Sequence, residues 1–191
     1  HQFEGIYSIT SILESDIQLE SFSASELVNS IQDLISEFLP HFEPKNVKVT
    51  FPNLISKSTI KLSLEHLQDL IIELVLNAYK FTIPNSIINI YSFISEGYLI
   101  INIKNDIKAD GSGGIPKDYE KLVLEPFIRI QPNDEAIIKI EKFGLGLGLT
   151  VVDNVIKKHN GMFFIHNIVD YLGGNKKNCV VAEIFIPIET K

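Results

Sequence analysis

Cysteine occurs once, as Cys179, so no internal disulfide staples this chain; that usage suits a reducing compartment. Tryptophan is absent, and no run of about 18 uninterrupted apolar residues exists. Asp69 and Glu73 break the most apolar segment, which excludes a membrane-spanning helix there. Positive charge is also short: Lys and Arg number 17 against 24 Asp and Glu, leaving a formal net charge of -7. A general nucleic-acid surface needs a clustered excess of Lys and Arg, so that class is disfavoured. A small anion is not, because a few backbone N–H groups and a metal ion can hold it whatever the sign of the whole surface. No repeat or low-complexity tract stands out.

With 191 residues, 45% of them hydrophobic, the chain has enough material for one domain with a sizeable core. It opens at His1 rather than Met and is read as a piece of a larger protein, so the lack of targeting signals speaks for this piece alone. Residues 1–22 show no clean period and are expected to be a linker or the end of a preceding helical region; residues 23–191 are expected to form one domain. From Ser25 onward, Leu27, Ile31, Leu34, Ile35, Phe38 and Leu39 make a helical stripe closed by Pro40, expected to pack on a sheet. Val47, Val49 and Phe51 alternate as a strand, and Ile60 and Leu62 suggest a second.

The organising stretch runs from Leu67 to Thr82. Leu67, Leu70, Ile71, Leu74, Val75 and Ala78 recur at helical spacing, with Ser63 as the candidate cap. Glu73 and Asn77, four apart, share one face of that helix. Ile88 and Ile90, a Glu96-Gly97 turn, then Leu99, Ile101 and Ile103 read as a hairpin. A polar, glycine-rich stretch follows, and Lys117–Leu124 reads as a short helix ended by Glu125-Pro126. Gly144, Gly146 and Gly148 precede a helix whose buried face is Val151, Val152, Val155 and Ile156 and whose stop is Gly161. Glycines there bare the first N–H groups of a helix to an anion, and the macrodipole favours negative charge at that end. Met162–Ile168 and Val180–Ile186 close the chain as strands.

Taken in order, ELVLNAYKFT, DGSGGIP, EPFIR and GLGLGL before a helix and HNG resemble the ATP-binding catalytic domain of sensor histidine kinases, within the GHKL ATPase superfamily. The match runs from about Ser25 to the C-terminus. The resemblance implies an α/β (α+β), Bergerat-type fold: a two-layer sandwich of a mixed, mostly antiparallel sheet with helices on one face and ATP between helices and lid. It implies ATP and Mg2+ as cofactors, with Asn77 as the asparagine whose side-chain oxygen helps coordinate the ion. Lys80 matches a basic residue that reaches a phosphate. Glu73 stands where related ATPases keep a general base, although many histidine kinases carry Asn there, and a contact to metal-bound water is the alternative role.

The first glycine box departs from the family's pattern. Asp110 has the right distance to Gly114, Ile115 and Pro116 to be the adenine-selecting carboxylate, yet Ser112 stands where a glycine belongs. Asp106 lies nearer the strand end, and the amide oxygen of Asn105 accepts in the same way; the three stay open on sequence grounds. By resemblance Phe127 packs beneath the lid, Arg129 holds the basic position beside it, and Lys139 and Lys142 are lid candidates for phosphate contact. Gly144, Gly146 and Gly148, with Leu149, match the box that surrounds the triphosphate.

The implied reaction is phosphoryl transfer from Mg-ATP to a histidine. None of His1, His41, His66, His159 or His166 has a phosphoacceptor's setting, so the acceptor is expected on a dimerisation domain of the parent protein, with a response regulator downstream. The expected fragment is a monomer of a cytoplasmic region, from a homodimeric parent that is soluble or membrane-attached. The alternatives are a degenerate nucleotide-binding or docking module, motivated by Ser112, and an anti-sigma-type serine kinase.

Overall fold

The computed structural model describes residues 16–51, 53–119, 122–125, 148–172 and 174–189. In chain order the elements are β1 (Glu20–Ser23), α1 (Ala24–Ser36), β2 (Lys48–Thr50), β3 (Thr59–Leu62), α2 (Leu64–Phe81), β4 (Ile87–Ser95), β5 (Tyr98–Asp106), α3 (Gly148–Lys158), β6 (Met162–Asp170) and β7 (Lys177–Pro187), with 3-10 turns at Leu39–Lys45 and Lys117–Tyr119. Residues 20–22, expected in a linker, therefore belong to a strand, and β1 pairs antiparallel with β3 in a two-stranded ribbon.

Ser23 starts α1 with a reciprocal cap: its hydroxyl accepts from the Glu26 N–H at 3.2 Å, and the Glu26 carboxylate accepts from the Ser23 N–H at 2.8 Å. Ala24, Leu27, Val28, Ile31 and Ile35 are its buried face. The helix ends at Ser36, and Pro40 lies in the first turn of the 3-10 segment, where its missing N–H costs nothing. α1 packs against α2 and against β1 of the two-stranded sheet, while α2 and α3 cover the large sheet. The Gln68 amide donates to the Ser30 hydroxyl at 2.9 Å across the helix pair.

The 18-residue α2 is held at both ends by side chains remote in sequence. Ser63 occupies the N-cap position, but its hydroxyl meets His66 Nδ1 at 2.7 Å instead of capping the backbone, a departure from the expected role. At the other end Lys45 Nζ donates to the Tyr79 and Lys80 carbonyls, 3.1 Å each, placing a cation where the helix dipole is negative.

The five-stranded sheet has the order β2-β4-β5-β7-β6 with one parallel pair, β2 with β4. The β4–β5 hairpin closes through Glu96 and Gly97, both at positive φ, as a two-residue primed turn requires. Side chains alternate across the sheet. Leu99, Ile101 and Ile103 of β5, Ala182, Ile184 and Ile186 of β7 and Phe163 of β6 face the helices and form the core with them. Lys104 and Asp170, paired at 2.5 Å, lie on the opposite face. α3 buries Val151, Val152, Val155 and Ile156. At its end Asn160 takes the left-handed conformation, while Gly161 is required for another reason: a Cβ there would overlap the Phe185 carbonyl.

His159 joins α3 to the start of α2. It is 1% exposed, its Nε2 accepts from the Ser63 N–H at 2.9 Å, and its Nδ1 lies 2.7 Å from the Val155 carbonyl, so the neutral, Nδ1-protonated ring satisfies both. Burial pushes its pKa below the ordinary 6.5. A depressed folded-state pKa contributes stability that is complete above 6.5 and declines as the pH falls below it, because the unfolded chain then takes up the proton first. His159→Gln is expected to lose about 1–3 kcal/mol at pH 7.5 through the unsatisfied groups it leaves. Urea midpoints at pH 7.5 and 5.0 check this: the gap between wild type and variant narrows at the lower pH, and an unchanged gap contradicts the assignment.

Candidate functional site

The helix α2, the first turn of α3 and the ends of β5, β7 and β6 meet at one end of the sheet, and the candidate residues gather there. Glu73, 7% exposed, turns its carboxylate toward the start of α3, where a Cβ on Gly148 would overlap it. A carboxylate beside the first residues of a helix is favoured by the dipole. Asn77, one turn further along α2, donates its amide N–H to Glu73 Oε1 at 3.2 Å. That bond leaves the Asn77 carbonyl oxygen as the group able to take a cation.

No group of three or more His, Cys, Asp or Glu side chains able to hold a metal exists among the described residues. A Mg2+ ion held by Asn77 would take that one amide oxygen from the described residues, keep waters and bring phosphates with it, the usual habit of that ion. The donor set, a hard oxygen oriented by a neighbouring carboxylate, suits it. Lys80 lies in the last turn of α2, half-buried, with its backbone carbonyl bound by Lys45.

The three candidates for the base-selecting group separate by strand parity. Asn105 continues the inward series of Leu99, Ile101 and Ile103 and is 3% exposed. Asp106 points to the other face, where it accepts from Lys177 Nζ at 3.1 Å and from Cys179 Sγ at 3.4 Å. Burial, with Asp106 beside it, raises the Cys179 thiol to about 11, so it stays protonated and unreactive. Asp110 is exposed, and Ser112, through its hydroxyl and its backbone N–H, holds the Asp110 carboxyl below its ordinary value. The Ser112 N–H donates to Asp110 Oδ1 at 2.8 Å, a local turn that engages the carboxylate within its own loop.

Two further polar residues position this loop, and sequence reasoning did not single them out. Asn167 of β6 accepts from the Ile115 N–H at 2.9 Å and donates to the Ile115 carbonyl at 2.8 Å, gripping the backbone as a strand neighbour would. A Cβ on Gly114 would fall 2.7 Å from Asn167 Oδ1 and 2.7 Å from Ile107 Cδ1, so only glycine lets the loop lie this close. The available signal was an amide at an inward strand position, in line with Phe163 and Ile165. Thr82 donates its hydroxyl to the Asp106 carbonyl at 3.0 Å and fastens the end of α2 to the end of β5. Ile115 joins Ile107, Val123 and Val180 in a small apolar cluster, with Leu149 packed against it. Phe127, Arg129, Lys139, Lys142, Gly144 and Gly146 lie outside the described residues.

Residues 63–188 match the profile of the histidine kinase-, DNA gyrase B- and HSP90-like ATPase family. Over 148 residues the chain is 27% identical to the autoinducer 2 sensor kinase/phosphatase LuxQ of Vibrio parahaemolyticus, spanning 76% of this chain and 16% of that one. Over 168 residues it is 24% identical to the uncharacterized sensor-like histidine kinase ycf26 of Porphyra purpurea, 81% of this chain and 24% of that one. The chain thus spans less than a quarter of the length of these two relatives. The catalytic domain of histidine kinase ThkA superposes with a TM-score of 0.67 at 20% identity, covering 90% of this chain and 96% of that one. A profile match over most of the chain, on a mixed sheet covered by helices on one face, makes this chain a member of the histidine kinase-, DNA gyrase B- and HSP90-like ATPase family.

Proposed function

We propose that the chain is the ATP-binding catalytic domain of a sensor histidine kinase, which binds Mg-ATP between α2 and the start of α3 and donates the γ-phosphoryl group to a histidine on another domain of its parent protein. The observation that supports this reading is the chain of contacts from Gly148 through Glu73 to Asn77, which spends the Asn77 amide N–H on Glu73 and leaves its oxygen as an acceptor beside the first residues of α3. Bound Mg2+ supplies charge neutralisation across the phosphates.

The residues of this chain do the positioning. Asn77 orients the ion and Glu73 orients Asn77; with Oε1 accepting from Asn77 and the carboxylate packed on Gly148, Glu73 serves the site as a positioning residue more than as a base. Lys80, Lys142 and Arg129 add positive charge for the phosphates, and the backbone from Gly144 to Leu149 adds N–H groups. Transfer breaks the bond between the γ-phosphorus and its bridging oxygen, forms a P–N bond on the acceptor imidazole and releases ADP. Catalysis of this kind rests on placement and charge, with little covalent work for the domain.

The test has two stages. Calorimetric titration of the chain with ATP, with Mg2+ and then with EDTA, is expected to show metal-dependent binding; no binding in either condition defeats the proposal. Mixing the chain with the parent's histidine-bearing helices and Mg-ATP is expected to yield acid-labile phosphate on those helices. Acid-stable phosphate on a protein substrate identifies a serine kinase instead, and binding without any transfer identifies a nucleotide-sensing or docking module.

A further inference from the structure

Asn105 is the one candidate of the three whose polar group is unspent. Its side chain is on the helix-facing surface at the end of β5, with Val180 directly opposite on β7 and Asn167 next across on β6. The Asn167 amide is consumed at both ends by the Ile115 backbone. Asn105 Nδ2 is buried and has no hydrogen-bond partner among the described residues. A dry amide donor is unfavourable, and native proteins leave few such groups without a ligand or water to receive them. Asp106 and Asp110, the carboxylates nearby, are engaged on the far face and within the exposed loop.

An amide differs from a carboxylate in one respect that matters to a purine: it donates as well as accepts. The six-membered edge of adenine presents an amino donor beside the N1 acceptor, which an amide meets with Oδ1 and Nδ2. A 6-oxo purine presents an O6 acceptor beside an N1–H donor, and the same amide meets that pair after a half-turn about χ2. A carboxylate has no donor: it accepts from the adenine amino group and sets its second oxygen against N1, or accepts from the N1–H of a 6-oxo purine and sets its second oxygen against O6, so it forfeits one contact with either base.

We infer that Asn105 reads the 6-position of the bound purine and that this site accepts 6-amino and 6-oxo purine nucleoside triphosphates alike. The inference rests on the nucleotide-binding function proposed above and adds the class of substrate the site admits. Asn105 is then a specificity-determining residue, and selectivity follows from its amide in place of the carboxylate that the family resemblance leads one to expect.

Calorimetric titration of the wild-type chain with Mg-ATP and Mg-ITP, and of Asn105→Asp with both, tests it. Inosine is chosen because it differs from adenosine at the 6-position without the added 2-amino group of guanosine. The wild type is expected to bind the two within about 5-fold, and Asn105→Asp to bind both about 10-fold or more weakly than the wild type, the range a good bidentate base contact supplies. A wild type that rejects ITP by more than about 30-fold, or an Asn105→Asp variant that binds both nucleotides as tightly as the wild type, overturns the inference and leaves ATP binding standing. Failure of the wild type to bind either nucleotide overturns the function reading itself. The wild-type ratio needs no variant, so it decides alone should Asn105→Asp not fold.

Discussion

Asn77→Ala lowers the affinity for Mg-ATP by about 100-fold or more, since even the partners that merely orient metal ligands are worth about 10- to 100-fold. The fold survives the change. Asn77 is only half-buried, and the Glu73 carboxylate that loses its amide partner stays beside the first turn of α3. A stability loss of about 1 kcal/mol is expected, the net worth of one hydrogen bond. Calorimetry with Mg2+ and with EDTA separates the two effects: the variant's weak binding no longer responds to EDTA, whereas wild-type binding does. Asn77→Asp does not repair the site, because a carboxylate 3.2 Å from Glu73 brings two like charges together and one of them must take up a proton. Wild-type affinity in Asn77→Ala would remove the metal from the proposed site.

Gly148→Ala is the second large effect, and its sign decides between two opposed terms. In an exposed helix interior this substitution gains up to about 1 kcal/mol. Here the new methyl would occupy the space of the Glu73 carboxylate, which is buried and cannot swing into solvent without releasing Asn77. Overpacking of this kind costs about 1–3 kcal/mol, so a net loss of stability is expected together with an ATP affinity reduced by about 10-fold or more as Asn77 loses its orientation. The double substitution with Glu73→Ala tells space from catalysis. It restores the denaturation midpoint, because the space is vacated, and it does not restore ATP binding. Additive losses in the double variant would show that the two residues do not share that space.

Much of this was legible beforehand because it is local. Helical spacing in Leu67–Ala78 brought Glu73 and Asn77 to one face, and the structure joins them by a hydrogen bond. Alternation in β4 and β5 and the Glu96-Gly97 turn announced the hairpin, whose strands pair antiparallel. Where local patterns misled, a distant partner was responsible. Residues 20–22 carry no period of their own and become a strand because β3 is there to pair with. Ser63 reads as a capping serine, yet its N–H and hydroxyl are taken by His159, 96 residues away, and by His66. The grip of Asn167 on Ile115, across 52 residues, had no counterpart in any motif.

From sequence alone came the elements, the order of the glycine boxes and the family they spell, because periodicity, turn chemistry and motif spacing are properties of neighbouring residues. Which of Asn105, Asp106 and Asp110 faces the helices was decided only by tertiary structure. A strand presents alternate residues to opposite faces, so that choice depends on where β5 lies against β7, and a single-residue slip would have exchanged Asn105 for Asp106.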